Sequence, residues 1–255
     1  MEKKLILLSN DDGFDSEGIK VLREYLLELG KVVVFAPSCE KSASSHSITL
    51  RREISVKEVE KDIYAVEGTP VDSILIGIYG VLQKKPDLVV SGINLGQNLG
   101  EDVFYSGTVA AAREGAMYGV PALAVSLYLQ REDKVKHYET AAHFAQKIAR
   151  FLLTHRLNGE LLNVNVPNLP LSEIRGVKFT RLSTRIYKDP VMKLRENIYI
   201  IGGEPLWQLS KGTDLEAVIN GYVSISPLLI DITDYERLGI LRKFEKEIGG
   251  GTPER

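Results

Sequence analysis

The chain has 255 residues, 44% of them hydrophobic, enough for a full core in one large α/β domain or in one domain with a smaller appendage. A formal charge of -2 and a pI near 6.2 give no basic field to hold long nucleic acid or an anionic membrane. A single cysteine, Cys39, excludes an intramolecular disulfide. No run approaches the roughly 18 to 20 apolar residues of a membrane span, and the first apolar run breaks at Ser9, short of a signal-peptide core, so a cytoplasmic protein is expected.

The run Leu5-Ile6-Leu7-Leu8 followed by Ser9-Asn10-Asp11-Asp12-Gly13 is too short for a helix and too apolar for a surface loop. It predicts a buried strand with two carboxylates just past its C-terminal end, where ligands bind in open α/β sheets. Asn-Asp-Asp-Gly is also ordinary turn chemistry, so by itself the stretch reads equally well as a polar turn leading into a helix. Residues 16–29 place Ile19, Leu22, Leu26 and Leu29 at helical spacing, with Asp15 or Ser16 as N-cap and Gly30 as the stop. Val32-Val33-Val34-Phe35-Ala36 predicts a second buried strand, completing a βαβ unit. After Pro37, the polar stretch from Ser38 to Ser47 is longer than a tight connection needs, as functional loops often are.

Residues 48–66 alternate and are charged, the pattern of exposed strands near a sheet edge. Gly68-Thr69-Pro70 opens a helix with Thr69 as N-cap and Pro70 at its first position, and Val71, Ile74, Leu75, Ile78 and Leu82 form its buried face. Leu88-Val89-Val90 is a third buried strand, and residues 91–100 read as a second polar, glycine-rich loop. That loop continues through Tyr105-Ser106-Gly107-Thr108 into an alanine-rich helix over 109–118. A Ser-Gly-Thr helix start leaves backbone N–H groups and the dipole aimed outward, which suits an oxyanion; Thr108 also fits as the plain helix cap.

Residues 121–126 predict a fourth strand, 134–153 a long helix and 161–167 a fifth strand. Beyond residue 175 the alternation gives way to β-rich segments at 177–182 and 197–201, with Tyr187, Tyr199 and Trp207 scattered among charges. A short helix over 214–220, a strand over 222–226 and an amphipathic helix over 235–248 follow, and 249–255 should fray. The expected architecture is a Rossmann-like, doubly wound, mostly parallel α/β sheet in residues 1–175, with a C-terminal β-rich oligomerisation arm in 176–255.

The loops after the first three buried strands each carry hard oxygen donors: Asp11 and Asp12, Ser42, and Asn94. A parallel sheet brings such loops to one edge, and oxygen-only donors suit Mg²⁺, Mn²⁺ or Ca²⁺. His137, His143 and His155 lie on or beside one helix as surface or packing groups, whereas His46 sits in a candidate site loop. A divalent cation beside a helix N-terminus is a place to hold and polarise a phosphate. Neither a Walker A sequence nor a Gly-x-Gly-x-x-Gly after the first strand occurs.

Taken together, Ser9-Asn10-Asp11-Asp12-Gly13, Ala36-Pro37, Ser42 to Thr49, Gly68-Thr69-Pro70, Ser91-Gly92-Ile93-Asn94 with Gly96 and Asn98, and Tyr105 to Val109 resemble the SurE family of stationary-phase survival proteins. The segments 163–167 and 221–227 are similar too, so the resemblance is nearly full length. It implies a divalent-metal-dependent nucleoside 5'- and 3'-monophosphate phosphohydrolase, with some members also degrading short polyphosphate. It implies one Mg²⁺ or Mn²⁺ per subunit on Asp11, Asp12, Ser42 and Asn94, and phosphate contacts at Asn98, Ser106, Gly107 and Thr108, with Asn10 nearby. Many relatives carry glycine where this chain has Ala43, and His46 is a variable position. Dimers and tetramers that exchange C-terminal extensions are a further implication.

The mechanism expected is attack on phosphorus by metal-activated water. Asp11 would orient or deprotonate the water, Asp12 would hold the cation, and Asn98 and the helix-start amides would stabilise the developing charge. An aspartyl-phosphate route is the rival mechanism, weakened by the absence of Asp-x-Asp spacing. The non-enzymatic alternative is a receiver-like or nucleotide-sensing module that binds Mg²⁺ for regulation; receivers need a phosphoacceptor Asp after the third strand, where this chain has Ser91 and Asn94.

Overall fold

A computed structural model describes residues 3–130, 132–155, 160–245 and 247–249. In chain order the elements of the core are β1 (Leu5–Ser9), α1 (Glu17–Leu26), β2 (Lys31–Pro37), β3 (Val56–Glu60), β4 (Ile63–Val66), α2 (Pro70–Leu75), β5 (Leu88–Leu95), α3 (Gly107–Met117), β6 (Ala122–Tyr128), α4 (Tyr138–His155), β7 (Leu161–Pro167) and β8 (Gly176–Phe179). The arm strands β9 (Thr184–Lys188), β10 (Val191–Arg195), β11 (Ile198–Ile201) and β12 (Glu204–Gln208) come next, then α5 (Asp214–Ile219), β13 (Tyr222–Leu228) and α6 (Tyr235–Leu241).

One nine-stranded sheet carries the order β3-β4-β2-β1-β5-β6-β7-β13-β8. From β4 to β7 its strands are parallel, β3 is antiparallel at one edge, and β13 runs antiparallel to β7 with β8 parallel to it at the other. The chain moves outward from β1 to β2 and β4, then returns to place β5 on the other side of β1. The strand order therefore reverses between β1 and β5, which is where a doubly wound sheet leaves a crevice for ligands.

Strand periodicity divides the core into two layers. Ile6 and Leu8 of β1, with Val32 and Val34 of β2, face Ile19, Leu22 and Leu26 of α1 and the alanine stripe of α4. Leu5, Leu7, Val33 and Phe35 face the other way, onto Ile74 of α2 and Val109, Ala111, Ala112 and Ala116 of α3. A strand buried on both faces must be apolar at every position, and β1 is buried throughout.

The structure corrects several expected boundaries. Residues 91–95, expected as loop, belong to β5: pairing with β6 resumes at Asn94 opposite Ser126 after a register shift that follows Ser91. Gly92, at φ 134°, makes this bulge; a Cβ there would lie 2.3 Å from the Val125 carbonyl oxygen. Polar and glycine residues suited to a bulge look like loop in sequence, although the backbone stays in the sheet. The helix after Pro70 does begin with the expected cap, reinforced by Asp72, whose carboxylate accepts the Thr69 N–H while the Thr69 hydroxyl accepts the Asp72 N–H. It then widens into a π-helix over Ile76–Leu82. The long helix starts at Tyr138, later than expected, and the last helix stops at Leu241, followed by a 3₁₀ turn at Arg242–Phe244. Of the expected fraying tail, 250–255 lie outside the described residues. Residue 175 precedes β8, and β8 and β13 lie in the same sheet as the strands before them. No helix among the described residues is long and apolar enough to cross a membrane.

Candidate active site

The turn after β1 is built by Asn10. Its buried side chain accepts the Gly13 N–H at 3.2 Å and donates to the Gly13 carbonyl and the Ser16 hydroxyl, each at 2.8 Å. Gly13 takes φ 107°, a conformation that favours glycine. Ser16 is the N-cap residue of α1 by position, but its hydroxyl makes no cap bond. The sequence thus gives Asn10 a structural task, shaping the turn that presents Asp11 and Asp12.

Three long-range links bring the other segments to this turn. The Lys41 N–H donates to the Asp11 carbonyl at 2.7 Å and docks the loop after β2. The Leu95 N–H donates to Asp12 Oδ2 at 3.1 Å and fixes the end of β5. The Thr108 hydroxyl donates to Asp11 Oδ1 and joins α3 to the acid pair. Asp11, Asp12, Ser42, Asn94, Asn98 and Ser106 all line one cavity of about 980 Å³.

Each expected residue has a definite place. Asp11 is buried and Asp12 half-buried. Ser42 is exposed on its loop, its hydroxyl donating to Glu40 at 2.7 Å. The Asn94 amide nitrogen donates to the Gly96 carbonyl at 2.8 Å, so its Oδ1 is the atom a cation would take. Asn98 is held at four points: its N–H donates to Asn165, its Nδ2 to Ser126, and its carbonyl accepts from Asn163 and Asn165. Ser106, not Thr108, caps α3, accepting the Val109 N–H at 3.0 Å. Thr108 is fully buried with its hydroxyl committed to Asp11, and neither it nor Gly107 is among the residues lining the cavity. Gly107 lies hard against the acid: a Cβ there would sit 2.9 Å from Asp11 Oδ2 and 2.6 Å from Ser44 Oγ.

Electrostatics at the pair are unfavourable to two bare charges. Burial pushes the Asp11 carboxyl up to about 6, with the charge of Asp12 adding to the rise and the Thr108 hydrogen bond opposing it. Burial likewise raises Asp12, the Leu95 N–H opposes that, and Glu40 adds to it. No basic side chain is among the charges acting on either acid. A hard divalent cation is the charge that fits this donor set of two carboxylates, a hydroxyl and an amide oxygen. Among the described residues no three His, Cys, Asp or Glu side chains converge as a metal cluster, so neutral oxygens must complete any such shell.

Sequence reasoning missed part of the cavity wall. Glu40 lies two residues before Ser42 in a loop already singled out, and its acidity was the available signal. Lys136 and Tyr138 come from the start of α4, and burial pushes the Tyr138 hydroxyl up to about 12. Asp102 and Arg185 pair across the wall, and Pro190, Ile201 and Gly202 of the arm complete it. Nothing local marks those arm residues, roughly 180 to 190 positions from the acid pair.

A family model described as Survival protein SurE matches residues 6–189. The chain is 44% identical over 249 residues, 95% of its own length and 98% of the relative's, to a protein of Legionella pneumophila (strain Lens) named 5'-nucleotidase SurE. It is 41% identical to the crystal structure of SurE protein from Aquifex aeolicus, with a TM-score of 0.85 over 94% of this chain and 99% of that one. On the family-model match, the identity over nearly the whole chain and the shared fold, the chain belongs to the SurE family.

Proposed function

We propose that the chain is a divalent-cation-dependent phosphatase acting on nucleoside 5'- and 3'-monophosphates. The observation that carries this reading is the convergence of Asp11, Asp12, Ser42 and Asn94 on one cavity beside the capped start of α3. The cavity, about 980 Å³, is in the upper part of the range that accommodates small-molecule ligands, and the Legionella relative carries the name 5'-nucleotidase. Extension to short polyphosphate belongs to the same proposal, because a cavity of about 980 Å³ leaves room beyond the first phosphate.

Asp12, Ser42 and Asn94 would hold the cation with Asp11, and the cation would supply Lewis-acid polarisation of a phosphoryl oxygen. The chain's own groups do the rest. Asp11, fixed by the Thr108 hydroxyl, is the base that would orient the attacking water and accept its proton. Asn98, whose Nδ2 has a second hydrogen to donate, and Ser106 line the cavity and would stabilise the charge that builds on the phosphoryl oxygens.

Self-association through the arm is part of the proposal. Val191, Met192 and Leu194 of β10 and Ile198, Tyr199, Ile200 and Ile201 of β11 are all exposed, on both faces of one hairpin. Such a contiguous apolar surface marks an interaction site, and a second copy of this chain is the partner proposed.

Phosphate release from the 5' and 3' isomers of AMP and GMP, measured with Mg²⁺ or Mn²⁺ and again with chelator, tests the activity. Turnover should vanish with chelator, and Asp12→Ala should lower kcat/KM by about a hundredfold or more while circular dichroism is unchanged. No turnover of any monophosphate with either metal would leave the non-catalytic sensor instead.

A further inference from the structure

The loop that brings Ser42 to the site does not hold itself. Ala43 at φ 55° and Ser45 at φ 51° both occupy the left-handed region, which is unfavourable for residues with a Cβ. Ser42 and Ala43 are exposed, so packing does not fix them. Two backbone-directed ties come from Ser45, whose N–H donates to the Tyr105 carbonyl at 2.9 Å and whose hydroxyl donates to the Phe104 carbonyl at 3.0 Å. The Thr69 hydroxyl donates to the Ser47 carbonyl at 2.8 Å, and one further tie is of a different kind. His46 Nε2 reaches Glu114 Oε2 at 2.6 Å, the only hydrogen bond among the described residues from this loop to helix α3.

Glu114 is 5% exposed and lies on the same helix whose first turn contacts Asp11. A buried carboxylate needs partners, and the His46 ring is one, with the Tyr118 hydroxyl nearby. His46 Nδ1 is buried and has no hydrogen-bond partner. Against a carboxylate oxygen, which can only accept, His46 Nε2 is the donor.

We propose that His46 is a positioning residue: by donating to Glu114 it staples the 42–47 loop to α3 and holds Ser42 in register with Asp11 and Asp12 for the cation. This rests on the reading of those residues as a cation site. The rigid helix therefore carries both the tie to Asp11, through Thr108, and the tie to the Ser42 loop, through Glu114, so that one element sets the spacing of two donor segments. Loss of the staple should weaken the cation more than it slows a cation-saturated enzyme.

Calorimetric titration of Mn²⁺ into the chelator-treated full chain tests this. Wild type is compared with His46→Ala, with His46→Phe, which fills the ring volume without a donor, and with His46→Gln, whose amide nitrogen replaces the Nε2 donor. The expected result is an Mn²⁺ Kd about tenfold weaker in the Ala and Phe variants and restored in Gln, with kcat at saturating Mn²⁺ little changed in all three. A folded Ala or Phe variant that binds Mn²⁺ as tightly as wild type overturns the staple and leaves the cation site standing; if Ala does not fold, Phe decides. Equal weakening in Gln and Phe also overturns it, since the donor would then not matter. Wild type that binds no Mn²⁺ removes the cation site itself, and the staple with it.

Discussion

The turn after β1 and the arm from β9 to β12 are opposite solutions to placing polar and apolar groups. At the turn, charged and polar side chains are buried and nearly every one is tied to another segment: Asp11 to Thr108 and Lys41, Asp12 to Leu95, Asn10 to Gly13 and Ser16. In the arm the order is reversed, with apolar side chains in solvent and Ile201 at 86% exposure. Among the described residues, ties to the core gather at the arm's root. Asp214, fully buried, accepts the Gly100 and Ser183 N–H groups at 2.8 Å each, and Arg185 pairs with Asp102. The first region holds two acids close together under burial; the second leaves apolar side chains open to solvent.

That contrast predicts that the site carries a stability cost the arm does not. The largest effect should come from Asp11. Its carboxyl is raised from 3.8 to about 6, so the unfolded chain ionises first and the metal-free fold loses stability as pH rises from about 4 to about 6, then levels off. The loss is about 3 kcal/mol by linkage. Asp11→Asn should therefore stabilise the chelator-treated protein by up to that amount at pH 7 while removing phosphatase turnover, and urea melts should show the gain disappearing below about pH 4. A gain that persists at low pH would trace to something other than the buried charge.

Next in size is Gly107→Ala. The added Cβ overlaps Asp11, which the Thr108 hydroxyl holds at the start of α3, and should cost about 1–3 kcal/mol. A fall in kcat should accompany the lower melting temperature, because the same displacement moves Asp11.

The smallest effect on the fold should come from Met192→Glu combined with Ile200→Glu, opposite neighbours on the exposed arm hairpin. Unfolding free energy of the dissociated chain should change by less than about 0.5 kcal/mol. Sedimentation should nevertheless show a smaller species than wild type at equal concentration. An unchanged mass would mean that the hairpin is not the contact.

The parts of this molecule legible in sequence are those governed by local pattern. Continuous apolar runs marked β1, β2 and the start of β5, and the Thr69-Pro70 pair marked a cap that the structure reproduces. Site loops were legible because each follows a buried strand, and parallel strands release their loops at one edge. Other features depended on contacts between distant segments. The continuation of β5 through Ser91–Leu95 needs β6 alongside, Ser106 rather than Thr108 caps α3 because Asp11 claims the Thr108 hydroxyl, and His46 has a role only once α3 brings Glu114 to it.

Residue order alone therefore determined the alternation of buried strands and helices, the family, and which acids and amides stand at strand ends, since these follow from hydrophobic periodicity and short-range turn chemistry. Tertiary structure decided how those groups are oriented, which of them are buried against one another, and that Pro190, Ile201 and Gly202 of the arm close the cavity. Orientation and burial come from hydrogen bonds and packing between segments tens of residues apart, and no local pattern encodes the partner at the other end.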